Sequence, residues 1–313
     1  MNKLIIDTDP GLDDAQAIFM AAHHPNWQIE ALTAVAGNVG LEHTLRNTCV
    51  LVDQLGQDIP VYAGCDKGLV FTGEDASYFH GKDGFGDCNL PDPQTAPHPK
   101  HAALALIDHI RAAPGEITLA AIGPLTNVAI ALHLEPNLPR LLKRFLIMGG
   151  AVTSKGNAPN LASEFNFYAD PEAAQFVMEQ WGKSGQVAEI VDWESTVRHL
   201  MEIDWVNQVL AKENKSARFI GKITQTVREK LHRGVYYAAD PLALAVTLEP
   251  EIVTQAETHH MRIETSGPRG QSTVDWGDRS GKPLNAKIVL KVDQKRFEKL
   301  FETGITGNDR ITE

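Results

Sequence analysis

"KLIIDTDPGLDDAQAIF", residues 3–19, decides the fold, because it joins an apolar run, a sharp turn and the start of a helix in one short segment. The run at residues 4–6 is typical of a buried strand, and residues 13–24 have the pattern of a helix. Between them, the ring of Pro10 fixes φ and Gly11 permits an unusual backbone conformation, so we expect the chain to turn sharply after the strand. Four acidic residues lie in and beside this turn: Asp7, Asp9, Asp13 and Asp14.

The density of carboxylates in this turn needs a compensating positive charge. The turn can bring Asp9 back towards Asp13 and Asp14. An aspartate near a helix N-terminus is favourable by about 0.3–1 kcal/mol, which accounts for Asp13 or Asp14 but not for the whole cluster. Calcium and magnesium prefer oxygen ligands, whereas the 12 histidines show none of the paired spacings typical of zinc sites. The cluster therefore indicates a hard divalent cation.

Beyond this segment, short apolar runs that end in Asp, Gly or Asn alternate with longer amphipathic segments. Strands are predicted at residues 29–38, 59–64, 117–124 and 144–152, and helices at residues 41–56, 101–115, 125–136 and 170–182. This alternation predicts a single-domain α/β fold with an open, mostly parallel sheet flanked by helices, in which ligands bind beyond the carboxyl ends of the strands. The domain is expected to span residues 1–313, with loops at 66–100 and 265–285 and a frayed tail from about residue 304.

Composition narrows the classes of partner and the compartment. The net charge of −11 and the absence of a basic run disfavour nucleic acid, whose binding depends on phosphate neutralisation. The N-terminus does not resemble a signal peptide, and no apolar run approaches the ~20 residues of a membrane span, so no membrane partner is expected. Three cysteines without a CxxC motif, Cys49, Cys65 and Cys88, suggest reduced thiols and a cytoplasmic protein.

The order of several motifs resembles that of a known family. "DTDPGLDDAQAI" is followed by "AVAGN", "AIGPLTNVA", "LIMGGAV", "EFNFYADPEAA" and "AADPLALA", from residue 3 to about residue 300. This set looks like the nucleoside hydrolase family of inosine-uridine-preferring type. The resemblance implies an open α/β fold and hydrolysis of the N-glycosidic bond of ribonucleosides to free base and ribose. It also implies one calcium ion per chain and a homodimer or homotetramer.

The resemblance also implies a set of site residues. Calcium would be held by Asp9, Asp14, Asp240 and the carbonyl of Ile122. Asp9 would be the general base, and Asn38 would steady the attacking water and the ribose. The remaining ribose contacts would come from Asp13 at the 2′-hydroxyl, Glu164 at the 5′-hydroxyl, Asn166, Met148 and one of two asparagines whose spacing leaves the choice open, Asn157 or Asn160. Acidic groups suit this chemistry, because glycosidic cleavage develops positive charge on the sugar.

Protonation of the leaving base is not settled by the motifs. The best-known family members have a histidine directly before the late aspartate, whereas this chain has Ala239. His80 matches another family histidine near the base and is the candidate acid, since histidine titrates near neutral pH. Alternatively, aromatic rings stack on the base and ease its protonation from solvent. The candidates for stacking are Tyr78, Phe79, Phe85, Trp193, Tyr236 and Tyr237.

Two rival functions fit part of the sequence. A strand followed by DxD also opens the active site of haloacid-dehalogenase-like phosphatases, where Asp7 would be the nucleophile, Asp9 the acid and magnesium the metal. That interpretation expects a late GDxxxD motif, and the nearest run, "WGDRSGKP", lacks the second acid. A non-catalytic calcium-dependent nucleoside or sugar binder would have a similar site without turnover. The ordered motif set favours the hydrolase over both.

Overall fold

The computed structural model describes residues 1–70, 74–230 and 234–307. Twelve strands lie in these ranges: β1 (Asn2–Thr8), β2 (Trp27–Ala34), β3 (Val61–Ala63), β4 (Ile117–Ala121), β5 (Arg144–Met148), β6 (Ala188–Val191), β7 (Met201–Glu202), β8 (Val235–Tyr236), β9 (Val253–His259), β10 (Met261–Ile263), β11 (Ser272–Val274) and β12 (Ala286–Val292). Eight of them form one sheet in the order β3-β2-β1-β4-β5-β6-β12-β9. All neighbours in this sheet are parallel except β12 and β9, which pair antiparallel at one edge.

Thirteen helices lie in the same ranges: α1 (Leu12–His23), α2 (Leu41–Leu55), α3 (Ser77–His80), α4 (Ala102–Ala112), α5 (Thr126–Leu134), α6 (Leu138–Leu141), α7 (Phe165–Ala169), α8 (Pro171–Ser184), α9 (Trp193–Arg198), α10 (Ile203–Leu210), α11 (Lys215–Lys230), α12 (Ala239–Leu248) and α13 (Gln294–Thr306). They cover both faces of the sheet. In β1, Leu4 and Ile6 pack into the core with α1, α2, α11, α12 and α13, whereas Ile5 packs into the opposite core with α4, α5 and α8. A strand buried on both faces is apolar at every position, which is why residues 4–6 show no alternation.

The architecture confirms the predicted fold class. Each strand and helix predicted up to residue 182 is present, with bounds that differ by a few residues. The predicted fraying from about residue 304 is wrong for residues 304–306, because α13 continues to Thr306 and Ile305 is fully buried in the core. The rest of that tail, from residue 308, lies outside the described residues. No helix in the described part of the chain has the length and apolar character needed to cross a membrane.

The topology brings separate polar motifs to one edge of the sheet. β2, β1, β4 and β5 are consecutive in the sheet, and all run in the same direction. Their carboxyl ends therefore lead into Asp9, the Gly37-Asn38 pair, Ile122 and the Gly149-Gly150 pair along the same edge. In open parallel sheets this edge is where ligands bind.

Candidate active site

The turn after β1 holds two buried carboxylates in a dense hydrogen-bond network. Asp9 and Asp14 are both fully buried. The backbone N–H of Asn38 donates to Asp9 Oδ2 at 2.7 Å, and the Asn38 amide donates to Asp14 Oδ2 at 3.1 Å. Thr8 Oγ1 donates to Asp14 Oδ1 at 2.6 Å, and Gly11 N–H donates to Asp14 Oδ2 at 2.9 Å. The strand end that carries Asn38 thus fixes both carboxylates.

Two glycines leave the space that the Asp9 carboxylate needs. A Cβ at Gly37 would collide with Asp9 Oδ2, and a Cβ at Gly123 would lie 2.6 Å from Asp9 Oδ1. Any larger residue at either position would push the carboxylate out of its place. The "GN" after β2 and the "GP" after β4 are therefore steric requirements of the acidic site.

Asp240 joins these acids from far along the chain. It lies in the first turn of α12, a helix that packs against α1. Carboxylate oxygens of Asp13, Asp14 and Asp240 all lie within 4.8 Å of one another. Asp240 therefore meets the acids of the turn, although this compact group contains Asp13 and not Asp9, which was predicted to lie beside Asp14 and Asp240.

The electrostatics of the group require a counter-charge. Burial raises the pKa of Asp14. Burial, reinforced by the neighbouring carboxylates, raises the pKa of Asp9 and Asp240 and raises the pKa of Asp13 to about 7. The second oxygen of Asp9, Oδ1, is buried and has no hydrogen-bond partner among the described residues. Clustered carboxylates with an unpartnered buried oxygen are a donor set that fits a hard divalent cation.

A second wall of the site comes from the segment between β5 and α7. Glu164 is buried and caps α7, with Oε1 accepting from Asn166 N–H at 2.7 Å and Oε2 accepting from Gly150 N–H at 2.9 Å. Burial raises the pKa of Glu164 to about 7. The Asn166 amide donates to the carbonyls of Ile122 at 3.0 Å and Met148 at 3.1 Å. Glu164 and Asn166 therefore lock the ends of β4 and β5 to this wall.

These groups line a cavity of about 320 Å³. Its polar lining consists of Asp13, Asn38, His80, Asn157, Glu164, Asn166 and Asp240, with Ile122 and Met148 beside them. Its apolar lining comprises Ala76, Tyr78, Phe79, Phe165, Trp193, Tyr237 and Ala239. The cavity thus combines acidic and other hydrogen-bonding groups with aromatic rings, a lining suited to a polar ring joined to a flat heterocycle.

Comparison with known proteins identifies the kind of molecule. Residues 4–299 match the model of the family described as inosine-uridine preferring nucleoside hydrolase. The non-specific ribonucleoside hydrolase RihC of Salmonella typhimurium is 34% identical over 94% of each chain, and the probable uridine nucleosidase 2 of Arabidopsis thaliana is 34% identical over 96% of each chain. The chain belongs to the inosine-uridine preferring nucleoside hydrolase family.

Solved structures of nucleoside hydrolases have the same fold. A plant nucleoside hydrolase superposes with a TM-score of 0.90 at 30% identity, covering 97% of this chain and 99% of its own. An inosine-guanosine nucleoside hydrolase superposes with a TM-score of 0.89 at 33% identity, covering 97% and 98%. The predicted family and enzyme class are confirmed: the protein is a hydrolase of N-glycosyl bonds in ribonucleosides.

The phosphatase alternative is not favoured by the comparisons, and the site opposes it. Asp7, its required nucleophile, is fully buried and, like Asp9, is not among the residues that line the cavity, so its hydrogen bonds decide its role. Asp7 Oδ1 accepts from Thr33 Oγ1 at 2.5 Å and from the Asn127 amide at 2.8 Å, so this carboxylate ties β1 to β2 and α5. The family match likewise does not favour a non-catalytic binder.

The structure separates the two candidate asparagines of the nucleoside hydrolase site. Asn157 lines the cavity, and its Oδ1 accepts from Phe165 N–H at 2.9 Å. Asn160 is not among the described residues that line the cavity. Its amide donates to Ser163 Oγ and the Arg269 carbonyl, and its Oδ1 accepts from backbone N–H groups of the same loop. The hydrogen bonds of Asn160 are used within the loop, so the expectation that Asn160 contacts ribose is not supported.

His80 and the aromatic candidates also differ in position. His80 lines the cavity, but burial lowers its pKa to about 3, so at neutral pH the ring is uncharged. Trp193 and Tyr237 stack with ring centroids 5.5 Å apart at 10° and face the cavity with Tyr78 and Phe79. Phe85 is core packing against Phe219, and the hydroxyl of Tyr236 accepts from the Gln16 amide at 2.5 Å beneath the site. Those two rings do not line the cavity.

Sequence reasoning missed residues that support the site without facing it. Thr8 and Asn47 are both buried, and each donates a hydrogen bond to the acidic turn. Both lie at positions that the apolar periodicity of the sequence assigns to the hydrophobic core, and their side chains are small enough to fit there. The sequence nonetheless held a signal, because a buried amide needs hydrogen-bond partners and Asn47 lies on α2, the second helix after the acidic turn.

Proposed function

We propose that this nucleoside hydrolase cleaves the N-glycosidic bond of ribonucleosides in a calcium-dependent reaction that gives free base and ribose. One observation carries the proposal: carboxylate oxygens of Asp13, Asp14 and Asp240 lie within 4.8 Å of one another, and Asp13 and Asp240 line the cavity. The family match supplies the reaction class, the oxygen donor set supports a hard divalent cation, and the family resemblance supplies the choice of calcium.

Calcium would be held by Asp9, Asp14, Asp240 and the carbonyl of Ile122. The oxygen-only donor set suits calcium better than zinc, and a backbone carbonyl and carboxylates in flexible geometry are typical calcium ligands. The unpartnered Oδ1 of Asp9 supports its inclusion. When bound, the ion would orient water and ribose hydroxyls and make the water more acidic.

Asp9 is the proposed general base. Asn38 N–H holds one of its oxygens at 2.7 Å and leaves the other without a partner to accept a proton from water. A positioned base of this kind contributes about 10²–10⁴-fold to the rate. Asp13, which lines the cavity, would bind the 2′-hydroxyl, and Asn38 would steady the water and ribose.

The ribose wall would orient the sugar for this attack. Glu164 would bind the 5′-hydroxyl, Asn166 and Asn157 other ribose hydroxyls, and Met148 would pack beside the ring. The surrounding carboxylates favour the positive charge that develops on the sugar in the oxocarbenium-like transition state.

His80 would meet the leaving base as an uncharged donor. Leu12 N–H donates to His80 Nδ1 at 3.1 Å, so Nδ1 has no proton and the neutral ring carries its proton on Nε2. An Nε2–H can donate a hydrogen bond to a base that gains negative charge as the glycosidic bond breaks. Trp193 and Tyr237 would stack on that base.

Turnover of the purified protein tests the function directly. Inosine and uridine, incubated with calcium, are expected to give free base and ribose, measured by chromatography and a reducing-sugar assay. Asp9→Asn is expected to lower kcat by about 10²–10⁴-fold, because it removes the base and keeps the shape. Asp278→Asn, a change at an acid on the 265–285 loop that does not line the cavity, is the control. Near-normal kcat in Asp9→Asn would remove Asp9 as the base.

Cellular location and assembly are proposed from the cysteines and from the family resemblance. The three cysteines are free, which suits the cytoplasm, and a homodimer or homotetramer is proposed from the family resemblance alone. Light scattering of the purified protein would measure the assembly, and a monomer at micromolar concentration would contradict it.

A further inference from the structure

A buried amide on α2 connects the acidic turn to the segment that carries His80. Asn47 is 1% exposed. Its Nδ2 donates to the carbonyl of Pro10, in the acidic turn, at 3.1 Å, and to the carbonyl of Asp83, three residues after His80, at 2.8 Å. Asn47 does not line the cavity, so it is placed to act on the site through these two segments.

The His80 segment is shaped to receive this amide. Gly84 has φ +78°, a conformation that favours glycine, and a Cβ there would lie 2.8 Å from Asn47 Nδ2. Gly86 N–H donates to the carbonyl of His80 at 2.8 Å, which closes the segment on itself. A Cβ at Gly86 would collide with the carbonyl of Ile223 on α11. The segment is thus packed between α2 and α11, and its polar link to the acidic turn on the α2 side is Asn47.

The same two segments meet a second time at His80 itself. Leu12 N–H, directly after the acidic turn, donates to His80 Nδ1 at 3.1 Å. This bond selects the ring form with its proton on Nε2, and it lasts only while the turn and the His80 segment keep their spacing. Asn47 fixes that spacing, because one amide group holds a carbonyl of each segment.

We propose that Asn47 is a positioning residue, which keeps His80 in register with the acidic turn so that Nε2–H faces the leaving base. This inference rests on the proposed function, since it assumes that His80 assists departure of the base. It predicts that loss of Asn47 mainly impairs substrates whose leaving group needs that assistance.

The test compares two leaving groups in Asn47→Leu, which has a similar shape and no donor. Removal of a preorganised donor lowers kcat by about 10²–10³-fold. Asn47→Leu misplaces the His80 donor without removing it, so we expect kcat/KM for inosine and uridine to fall by about tenfold or more, which is part of that loss. p-Nitrophenyl riboside, whose leaving group departs without a proton, is expected to change much less. Thr48→Val is the matched control, because Thr48 is a buried neighbour on α2 whose Oγ1 bonds only within its own helix, to the Thr44 carbonyl at 2.7 Å.

A double mutant tests the route through His80. In a His80→Ala background, Asn47→Leu is expected to cause no further loss with inosine, because the group that it positions is already absent. Imidazole ¹⁵N spectra give an independent readout: His80 should show the Nε2–H form in the wild type and lose it in the variant. If Asn47→Leu does not fold, Asn47→Ala is used with the same criteria.

The outcomes separate this inference from the proposed function. Equal losses on nucleosides and p-nitrophenyl riboside, or an additive loss in the His80→Ala background, would overturn the positioning role. If Asn47→Leu bound calcium more weakly and lost activity equally on nucleosides and p-nitrophenyl riboside, the positioning role would also be overturned, since Asn47 would then act through the acidic turn. Wild-type protein that releases ribose from neither substrate would instead refute the proposed hydrolysis.

Discussion

At the scale of single residues, Asp240 is the carboxylate whose position depends most on the whole fold. It approaches Asp13 and Asp14 from α12, and its pKa is raised by burial and by the other acids. Loss of a group that only orients a metal ligand costs about 10–100-fold in affinity. We therefore expect Asp240→Asn to weaken calcium binding by about a hundredfold or more, measured by isothermal titration.

The matched control for that change is Asp170→Asn. Asp170 is equally buried, but it caps α8 and accepts from Thr126 Oγ1 at 2.6 Å. Its substitution is expected to lower stability and leave the calcium affinity unchanged. Calcium affinity that is unaffected by Asp240→Asn would remove Asp240 from the metal site.

Glu164 gives a second prediction at this scale. Its Oε2 accepts from the N–H groups of Gly150 and Phe167, whereas Oε1 accepts from Asn166 N–H and keeps a lone pair that can accept the ribose 5′-hydroxyl. Glu164→Gln is expected to lower kcat/KM for inosine by about tenfold or more, because a hydrogen bond to a charged group is worth roughly 1.5–3 kcal/mol. A 5′-deoxynucleoside, which lacks the partner hydroxyl, should lose much less. An equal loss on both substrates would show that Glu164 acts only as the cap of α7.

Some of these residues could be predicted from physical chemistry, and others only from the family resemblance. The close spacing of Asp9, Asp13 and Asp14 in the sequence indicated a bound cation without reference to a known family. Asp240 and Glu164 carried no such signal, because their meeting with the turn depends on contacts distant in sequence. No pattern could decide that Trp193 faces the cavity and Phe85 the core, since both are single aromatic residues whose direction is set by tertiary packing.

At the scale of elements, α9 carries Trp193 to the wall of the cavity and is anchored at its far end by His199. His199 Nδ1 donates to the Ser195 carbonyl at 2.8 Å, and its Nε2 accepts from Val292 N–H of β12 at 3.1 Å. This arrangement requires the neutral ring. Burial accordingly lowers the pKa of His199 below its usual 6.5.

The position of His199 predicts how stability depends on pH. In the unfolded chain the ring takes up a proton as the pH falls through 6.5, whereas the folded state resists it. The contribution of His199 is therefore complete above pH 6.5 and is lost as the pH falls below that value. His199→Gln, whose amide can donate and accept at the same two places, should show a shallower loss. Urea unfolding on both sides of that pH measures it, and parallel slopes would contradict the role of His199.

At the scale of the whole molecule, the central sheet was predictable and its far edge was not. β1, β4 and β5 are apolar runs buried on both faces, which a single sequence shows clearly. β9, at the antiparallel edge, is mostly exposed or half-buried over seven residues, so no continuous apolar run marks it. The two-residue strands β7 and β8 are too short for any periodicity to appear.

The acidic cluster connects β1, α1 and α12, so a bound metal should stabilise these elements together. Asp9 lies in the turn between β1 and α1, Asp13 and Asp14 lie in the first turn of α1, and Asp240 lies in the first turn of α12, which packs on α1. A ligand at a hundred times its Kd adds about 2.7 kcal/mol to stability. For a chain of 313 residues, this corresponds to a rise in Tm of about 4 °C. We expect a chelator to lower the wild-type Tm by about that amount and to leave Asp240→Asn nearly unchanged, as measured by scanning calorimetry. A wild-type Tm that does not respond to chelator and calcium would mean that these carboxylates are held by protons and hydrogen bonds alone.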